Sequence, residues 1–357
     1  MNGATIAVIR LLEPLRGLGW DISLWAPVPG PAFDWLSERG FEVAGLPRPI
    51  ASGLQALREP PGVRRRIEAT PGYLTGFAKR MREVRPDVVH ANSLYSFAEA
   101  LTSKAMGVPT VMHLHDMAPS SWKAEPVRQM TRRALDRAVA VSEACASSYA
   151  TGQWAPDVVH GAAPLPDDSC EIRASPDPFT VGTVGVISKR KGSDLFVEAA
   201  ERLQRSHPEI ELHMIGSPTD PLDREWGERV LKRARAAGVR HISRGDVAKK
   251  MSEWDAFVLP SRRDPFPLVT LEAMAAGLPV IGSRADGIPE QLGADGGVLV
   301  DSEDTTALVN AIARMAALPA AERRRMGQAA RARVERLFTI GRQAEGMDDQ
   351  YRRVLAG

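Results

Sequence analysis

Cysteine is scarce in this sequence. Two cysteines, Cys145 and Cys170, occur among 357 residues. They have no neighbours at the spacing of metal ligands, so they predict neither a disulfide framework nor a metal site. We expect both to behave as small buried hydrophobic residues.

Long apolar runs and a strong net charge are also absent. No stretch of about 18 apolar residues occurs, so no membrane-spanning helix is predicted. The beginning, MNGATIAVIRLLEPL, lacks the charged region and the cleavage site of a secretory signal. We therefore expect a cytoplasmic protein. A formal net charge of +2 gives no reason to expect nucleic acid as a partner, and the Arg- and Ala-rich composition hints at a GC-rich bacterial gene.

The residues that are present favour two packed domains. The composition, 44% hydrophobic and 25% charged, is that of an ordinary globular protein. Short apolar runs such as 180–187 and 256–260 alternate with longer helical segments, and this pattern predicts doubly wound α/β units with parallel sheets. The Pro- and Asp-rich segment 164–178 predicts the boundary, which gives Rossmann-like domains at 1–170 and 171–340.

The first domain lacks an expected strand at its front. Residues 4–16 have leucine and isoleucine at helical spacing, followed by Gly17 and Gly19. The strand that should precede such a helix is missing. Either translation starts further upstream, or the domain lacks a central strand. The second alternative would expose two neighbouring strand edges, so we favour an upstream start.

A first candidate site follows the run 180–187. The stretch SKRKGSDLFVEAAERL combines a basic cluster, a glycine and the start of a helix. This combination suits a phosphate, because a helix N-terminus offers free N–H groups and Lys191 offers a positive charge. The alternative is a solvated loop in which Gly192 only makes a turn.

A second candidate site follows the run 256–260, in SRRDPFPLVTLEAMAAGLPVIGSRADGIPE. Pro267 suits the first position of a helix. The next three N–H groups, through that of Thr270, would then be free to face an anion. Glu272 is expected in the first turn. A carboxylate there either stabilises the helix dipole or accepts the paired hydroxyls of a ribose.

This stretch resembles the acid-x7-acid signature of family-4 retaining glycosyltransferases. Its acids are Asp264 and Glu272, and the tail EAMAAGLPV follows. Further segments resemble the family in the same order, over nearly the whole chain: RPDVVHANSLYSFAEALTSKAMGVPTVMHLHD, ALDRAVAVSEACASSYA, VVHGAAPLPDD and GVISKRKGSDLFVEAA. The resemblance implies the GT-B fold, in which two Rossmann-like domains face a cleft.

The resemblance implies a donor site in the second domain. Glu272 would hold the donor ribose, Asp264 the hydroxyls of the transferred sugar, and Lys191 the diphosphate. The other donor-binding residues implied by the motifs are Gly3, Gly185, Ser188, Phe266, Leu268 and Val269. Gly3 matches a glycine-rich turn, and amides around 266–269 would meet the sugar and the diphosphate.

A catalytic role is implied for His115, together with Lys191 and Asp264. His115 matches the family's histidine near the anomeric centre of the sugar. The alternative is a histidine with a structural hydrogen bond, and this is how we interpret His113. His90 ends another strand and could line the acceptor side.

This sequence departs from the family's usual residues at four positions. Asp264 replaces a glutamate, Pro267 a glycine, Val186 an arginine and His160 an asparagine. The missing positive charge at Val186 would be replaced by one of three nearby basic residues, each of which is otherwise a solvated charge: Lys189, Arg190 and Arg262.

The implied reaction is the transfer of a hexosyl unit from a nucleotide diphosphate sugar, with retention, to a glycan, lipid-linked or small-molecule acceptor, as in polysaccharide biosynthesis. No Asp-x-Asp cluster occurs at a strand end. We therefore expect no metal, and no cofactor beyond the nucleotide-sugar co-substrate. A weakly catalytic protein of this fold that binds nucleotide or glycan remains an alternative, and so does a sugar-nucleotide epimerase.

Two further segments suggest how the acceptor binds and how the end of the chain could act as a hinge between the two domains. Segment 51–85 has eight basic residues against three acidic, with apolar residues interleaved. It could contact an anionic membrane or a lipid-linked acceptor, which would place the protein peripherally at the inner membrane face. A solvated helical face is the alternative that we favour. Residues 341–357 resemble the helix that packs back onto the first domain.

Overall fold

The computed structural model describes residues 3–26, 31–46, 62–119, 124–166, 178–219 and 223–357. The chain divides into two compact units. The first contains Met1–Val159 and Gln343–Gly357, and the second contains His160–Arg342. The predicted linker 164–178 lies mostly outside the described residues.

The first unit holds two separate parallel sheets. In the smaller sheet, the first two strands pair with Ser23 opposite Glu42. The larger sheet has four strands in chain order. The strands are β1 Ser23–Ala26, β2 Glu42–Gly45, β3 Val89–Asn92, β4 Thr110–Leu114, β5 Arg137–Ala140 and β6 Asp157–Val158. Among the described residues no strand joins β1 to β3.

Helices accompany both sheets of the first unit. They are α1 Gly3–Gly17, α2 Pro31–Glu38, α3 Gly62–Val84, α4 Phe97–Ala105, α5 Ala124–Ala134 and α6 Glu143–Tyr149, with a short 3-10 helix at Leu94–Ser96. Helix α1 packs on both sheets, because its apolar residues lie on two faces. Leu11 and Leu15 join Val111 and Val139 of the larger sheet. Leu12 joins a cluster that β1 and β2 border.

The second unit is built on one six-stranded sheet in which every pair is parallel. Its strands are β7 Phe179–Val184, β8 Ile210–Ile215, β9 Arg240–Ile242, β10 Ala256–Leu259, β11 Val280–Ser283 and β12 Gly297–Val300. The spatial order is β12-β11-β10-β7-β8-β9. This is the doubly wound order, and its direction reverses between β7 and β10.

Seven helices of the described residues flank this sheet: α7 Ser193–Ser206, α8 Arg224–Ala236, α9 Val247–Met251, α10 Leu268–Ala275, α11 Ile288–Leu292, α12 Thr305–Ala317 and α13 Ala320–Leu337. Apolar side chains at helical spacing, such as Phe196 and Leu203 of α7, are fully buried against Val181 and Val258 of the strands. Each such side chain contributes roughly 1.5–3 kcal/mol to folding. The core therefore fixes where the strand ends lie.

The last helix, α14 Ile340–Leu355, buries one face. Ala344, Met347 and Tyr351 follow helical spacing and pack with Leu11 and Val139 of the first unit. In the described ranges, none of the helices combines the length and the apolar character needed to cross a membrane.

Candidate functional site

The sheet of the second unit brings two loops together. Strands β7 and β10 are neighbours although they are far apart in the chain. Ligands of doubly wound sheets bind outside the carboxyl ends of such a pair, because the connections leave it in opposite directions. The loop 185–192 follows β7 and the loop 260–267 follows β10. Both candidate segments of the sequence therefore meet at one edge.

Lys191 and Asp264 form an ion pair across the two loops. The Nζ of Lys191 lies 2.5 Å from Oδ2 of Asp264, and their side chains are only 15% and 7% exposed. The hydroxyl of Ser261 lies 3.5 Å from the same oxygen. An ammonium group has three N–H donors. Lys191 can therefore keep Asp264 as a partner and still donate to a second anion.

Close backbone packing shapes the loop that carries Lys191. Gly192 has a φ of 67°, and a Cβ there would lie 1.9 Å from the carbonyl oxygen of Pro260. Only glycine fits such a position. The N–H of Lys191 donates to the hydroxyl of Ser188 at 3.3 Å. The side chain of Lys191 passes Gly185, where a Cβ would lie 3.8 Å from it. The structure thus brings Gly185 and Ser188 next to Lys191.

Arg262 ties the same two loops together. Its guanidinium donates to both carboxylate oxygens of Asp194, at 2.7 and 2.9 Å, and to the carbonyl of Lys189 at 2.8 Å. These hydrogen bonds to Asp194 raise the pKa of Arg262. Its N–H also donates to the carbonyl of Arg190 at 2.8 Å. Arg262 therefore holds the loop, whereas Val186, the position of the missing arginine, is 40% exposed.

Pro267 lies just before helix α10, whereas the sequence predicts it at the first helical position. Pro267 has φ −67° and ψ 115°, an extended conformation, and stands before the first helical residue, Leu268. The N–H of Thr270 donates to the carbonyl of Pro267 at 3.2 Å. The prediction that this amide faces an anion was therefore wrong. Leu268 and Val269 are the first two helical residues, whose N–H groups have no partner within a helix.

Glu272 is the fifth residue of α10 and is partly exposed. It therefore stands just past the first turn, whereas the sequence predicts it within that turn. The interaction with a helix dipole falls off within the first turn. This position weakens the interpretation of Glu272 as a mere dipole partner.

The side chain of Phe266 is buried and fixes the position of its loop. It is 6% exposed and packs against the rings of His160 and Phe338, with centroids at 5.4 and 5.5 Å. Gly161 makes room for it, because a Cβ there would lie 2.9 Å from the ring. Nε2 of His160 lies 3.4 Å from a carboxylate oxygen of Glu290. The backbone of Phe266, rather than its ring, is what remains for a ligand.

The histidines belong to the first unit and form a column. His115 follows β4, and although the residue is partly exposed, its Nε2 atom is buried. Its ring centroid lies 4.1 Å from that of His113, which lies 5.3 Å from that of His90. Nδ1 of His90 lies 2.5 Å from the hydroxyl of Tyr351. His113 is fully buried, and neither of its ring nitrogens has a partner among the described residues.

Burial keeps these imidazoles neutral. It lowers the pKa of His115 to about 3 and that of His90 to about 4. It also lowers the pKa of His113 well below the ordinary value. A neutral His115 can donate one hydrogen bond and accept another, but it carries no charge at neutral pH.

Other candidates belong to the first unit or fall outside the described residues. Gly3 is the first residue of α1 and therefore lies in a helix rather than in a turn. Cys145 is buried, while Cys170 lies outside the described residues. In the part of the chain that the structure describes, no group of three or more His, Cys, Asp or Glu could hold a metal ion.

The basic segment 51–85 is only partly described. Residues 51–61 lie outside the described ranges, and α3 starts at Gly62. Phe77, one of its apolar residues, is 4% exposed and packs edge-on against Trp25 at 5.5 Å. This side chain therefore packs in the interior of the first unit. Membrane contact by the segment stays a prediction.

Sequence reasoning missed two residues that brace the second loop. The carboxylate of Asp286 accepts the N–H of Asp264 at 2.8 Å. The side-chain amide of Gln291 donates to the carbonyl of Pro267 at 3.0 Å. The only signal was their place in RADGIPEQ, directly after β11.

Two family models match the chain. Glycosyltransferase Family 4 matches residues 1–162, and Glycosyl transferases group 1 matches residues 167–333. The α-maltose-1-phosphate synthase of Mycolicibacterium smegmatis is 32% identical over 312 residues, which cover 75% of this chain and 79% of that protein.

Solved structures show the same fold. Sucrose-phosphate synthase from Thermosynechococcus elongatus superimposes with a TM-score of 0.81 at 22% identity, covering 99% of this chain and 94% of that one. Anabaena HepE, crystallised with UDP and glucose, gives a TM-score of 0.78 at 18% identity, covering 98% and 95%. The fold is GT-B, and the protein is a glycosyltransferase. It belongs to the family of glycosyl transferases group 1.

Proposed function

We propose that this glycosyltransferase moves a hexosyl unit from a nucleotide diphosphate sugar to a glycan, lipid-linked or small-molecule acceptor. In this proposal the anomeric configuration is retained and no metal ion takes part. The observation that carries it is the ion pair of Lys191 and Asp264 at the switch point of the second sheet. The crystals of HepE with UDP and UDP-glucose support a nucleotide-sugar donor.

The donor's charged part fits the loop after β7 and the start of α10. When the bond between the anomeric carbon and the phosphate oxygen breaks, its electron pair passes to the diphosphate. The remaining N–H donors of Lys191 and the amides of Leu268 and Val269 would meet that charge. Fixed donors aimed at developing charge are often the largest contribution to catalysis.

The carboxylates would orient the neutral parts of the donor. Glu272 would accept hydrogen bonds from the paired ribose hydroxyls, and Asp264 from hydroxyls of the hexose. Asp264 is one methylene shorter than the family's usual glutamate, and Lys191 already holds one of its oxygens. We therefore expect the identity of the sugar to depend on how far Asp264 reaches.

The acceptor would attack from the face that the phosphate leaves. A bond forms between the acceptor oxygen and the anomeric carbon, and the acceptor's proton passes to the departing diphosphate. His115, neutral because of its lowered pKa, would act as a hydrogen-bonding group near the anomeric centre. His115 lies in the first unit, whereas Lys191 and Asp264 lie in the second. Its role is therefore proposed from the family resemblance.

A donor panel tests the proposal. Purified protein is incubated with UDP-, GDP- and dTDP-hexoses, and slow hydrolysis is followed by proton NMR of the anomeric signals. We expect one donor to be hydrolysed, with its own anomeric configuration appearing first in the free sugar. The inverted anomer would overturn retention. No binding or hydrolysis of any donor would overturn the enzyme assignment. Conversion to an epimeric nucleotide sugar would favour an epimerase.

A further inference from the structure

The loop after β11 grips the backbone of Asp264 from both sides. The carboxylate of Asp286 accepts the N–H of Asp264 at 2.8 Å. The N–H of Gly287 donates to the carbonyl of Asp264 at 3.1 Å. Two consecutive residues therefore satisfy both backbone groups of one acid, which leaves its peptide little freedom to rotate.

Steric contact reinforces this grip. A Cβ at Gly287 would lie 2.0 Å from the carbonyl oxygen of Pro265, so the two loops touch backbone to backbone. One turn further on, the amide of Gln291, fully buried, donates to the carbonyl of Pro267 at 3.0 Å. The loop after β11 and the start of α11 thus brace residues 264–267 as a unit.

Asp286 holds this place in a strained conformation. Its φ is 42°, in the left-handed region that favours glycine. A glycine there would remove the strain but also the carboxylate. Non-glycine residues in this region concentrate at functional sites, where surrounding contacts hold them. The strain here coincides with a carboxylate that contacts the candidate sugar-binding acid.

Charge around the two acids is balanced. Two carboxylates that come close in the structure repel each other. Arg263 donates through Nε to both oxygens of Asp286, at 3.0 Å each. Lys191 pairs with Asp264 on the other side. Each acid therefore has its own cation, and the hydrogen bond between Asp286 and Asp264 involves a backbone N–H rather than a shared proton.

From this geometry we propose that Asp286 is a positioning residue for the transferred sugar. It fixes the peptide of Asp264 so that one carboxylate oxygen stays on Lys191 while the group as a whole faces the sugar hydroxyls. The proposal deepens the proposed function and rests on it. It assigns Asp286 no contact with the donor.

Three variants separate positioning from simple support. Asp286→Gly relieves the positive φ and deletes the acceptor. Asp286→Asn keeps an acceptor and tolerates the left-handed region. Asp301→Gly is the matched control, since Asp301 directly follows the neighbouring strand β12 and forms an exposed ion pair with Arg284. Donor hydrolysis and the unfolding midpoint are measured for each.

We expect Asp286→Gly to raise the donor KM or lower kcat by about tenfold or more. Its unfolding midpoint should stay within the range of the control, because strain is relieved. Asp286→Asn should recover most of the activity. Wild-type kinetics in Asp286→Gly would overturn the proposal, and so would a loss of activity that Asp286→Asn does not recover.

Hydrogen exchange distinguishes this inference from the proposed function. Exchange of the peptide containing Asp264 is followed by mass spectrometry in the same variants without donor. Faster exchange in Asp286→Gly, and not in Asp286→Asn or Asp301→Gly, supports the brace. Unchanged exchange overturns it, even in an active enzyme. Failure of wild type to process any donor overturns the proposed function instead, whatever the exchange shows.

Discussion

The Nζ of Lys191 lies 2.5 Å from the carboxylate of Asp264, although 73 positions separate the two residues in the chain. The pair joins the loops after β7 and β10, the two neighbouring strands at which the sheet changes direction. The cation proposed for the diphosphate and the acid proposed for the sugar thus support each other.

Breaking this pair should cost stability as well as activity. Lys191→Met leaves the carboxylate of Asp264, whose side chain is 7% exposed, without its partner, and we expect about 3 kcal/mol of destabilisation. The double variant Lys191→Met/Asp264→Asn should lose less than the sum of the single variants. Urea unfolding of the four proteins measures this coupling. Additive losses would show that the two side chains do not interact.

The turn at Gly192 should tolerate no side chain. Gly192→Ala introduces a Cβ 1.9 Å from a backbone oxygen in a residue of φ 67°, and we expect a loss of at least about 2 kcal/mol. Gly238→Ala is the matched control, because its φ is 72° and its nearest foreign atom lies 3.9 Å away. It should lose only about 1 kcal/mol. Equal unfolding midpoints for the two variants would contradict the packing argument.

Much of the second unit could be predicted from the sequence. The apolar runs 180–187 and 256–260 correspond to strands β7 and β10, because an apolar run is a local signal. Strand β9 was missed. It has three residues, Arg240–Ile242, and none of them is buried, so no apolar run marks it.

The contacts of the candidate site could be predicted less well. The resemblance named Lys191 and Asp264, but their ion pair depends on which strands become neighbours. Pro267 was assigned to the first helical position but precedes α10, because proline suits either side of a helix boundary. Nothing in the sequence around Asp286 marks it as a contact of Asp264, because that contact forms only when β10 and β11 lie side by side.

Acid should destabilise the first unit. His90 and His115 have pKa values of about 4 and about 3, below the 6.5 of an exposed histidine. Between these values the unfolded chain binds protons and the folded chain does not. The free energy of unfolding therefore falls as the pH falls below 6.5, by on the order of 1 kcal/mol per pH unit for each histidine.

Thermal unfolding between about pH 7.5 and about pH 5 checks this sign. The column also includes His113, whose pKa burial lowers as well, and Tyr351, which contacts His90. His113→Leu should reduce the acid sensitivity, because one buried imidazole no longer resists protonation. A thermal unfolding midpoint that stays constant or rises as the pH is lowered would contradict the burial of the three histidines.

Loss of Arg262 should loosen the loop that carries Lys191. Arg262→Ala removes the paired hydrogen bonds to Asp194 and the bond to the carbonyl of Lys189. We expect a donor KM raised by about tenfold, together with a loss of stability of about 1–3 kcal/mol. Arg229→Ala is the control, since Arg229 forms an exposed pair on α8. An unchanged KM in Arg262→Ala would show that the loop holds its shape without this residue.

The central claim is that the second unit binds a nucleoside diphosphate with Glu272 on its ribose. Calorimetric titration of wild type with UDP, GDP and dTDP identifies the preferred nucleotide, and the titration is repeated with Glu272→Ala and with Glu225→Ala. Glu225 is the control, because its side chain is 92% exposed on α8. We predict that Glu272→Ala weakens binding by about tenfold or more, while Glu225→Ala binds like wild type. Equal affinity of wild type and Glu272→Ala would contradict the account.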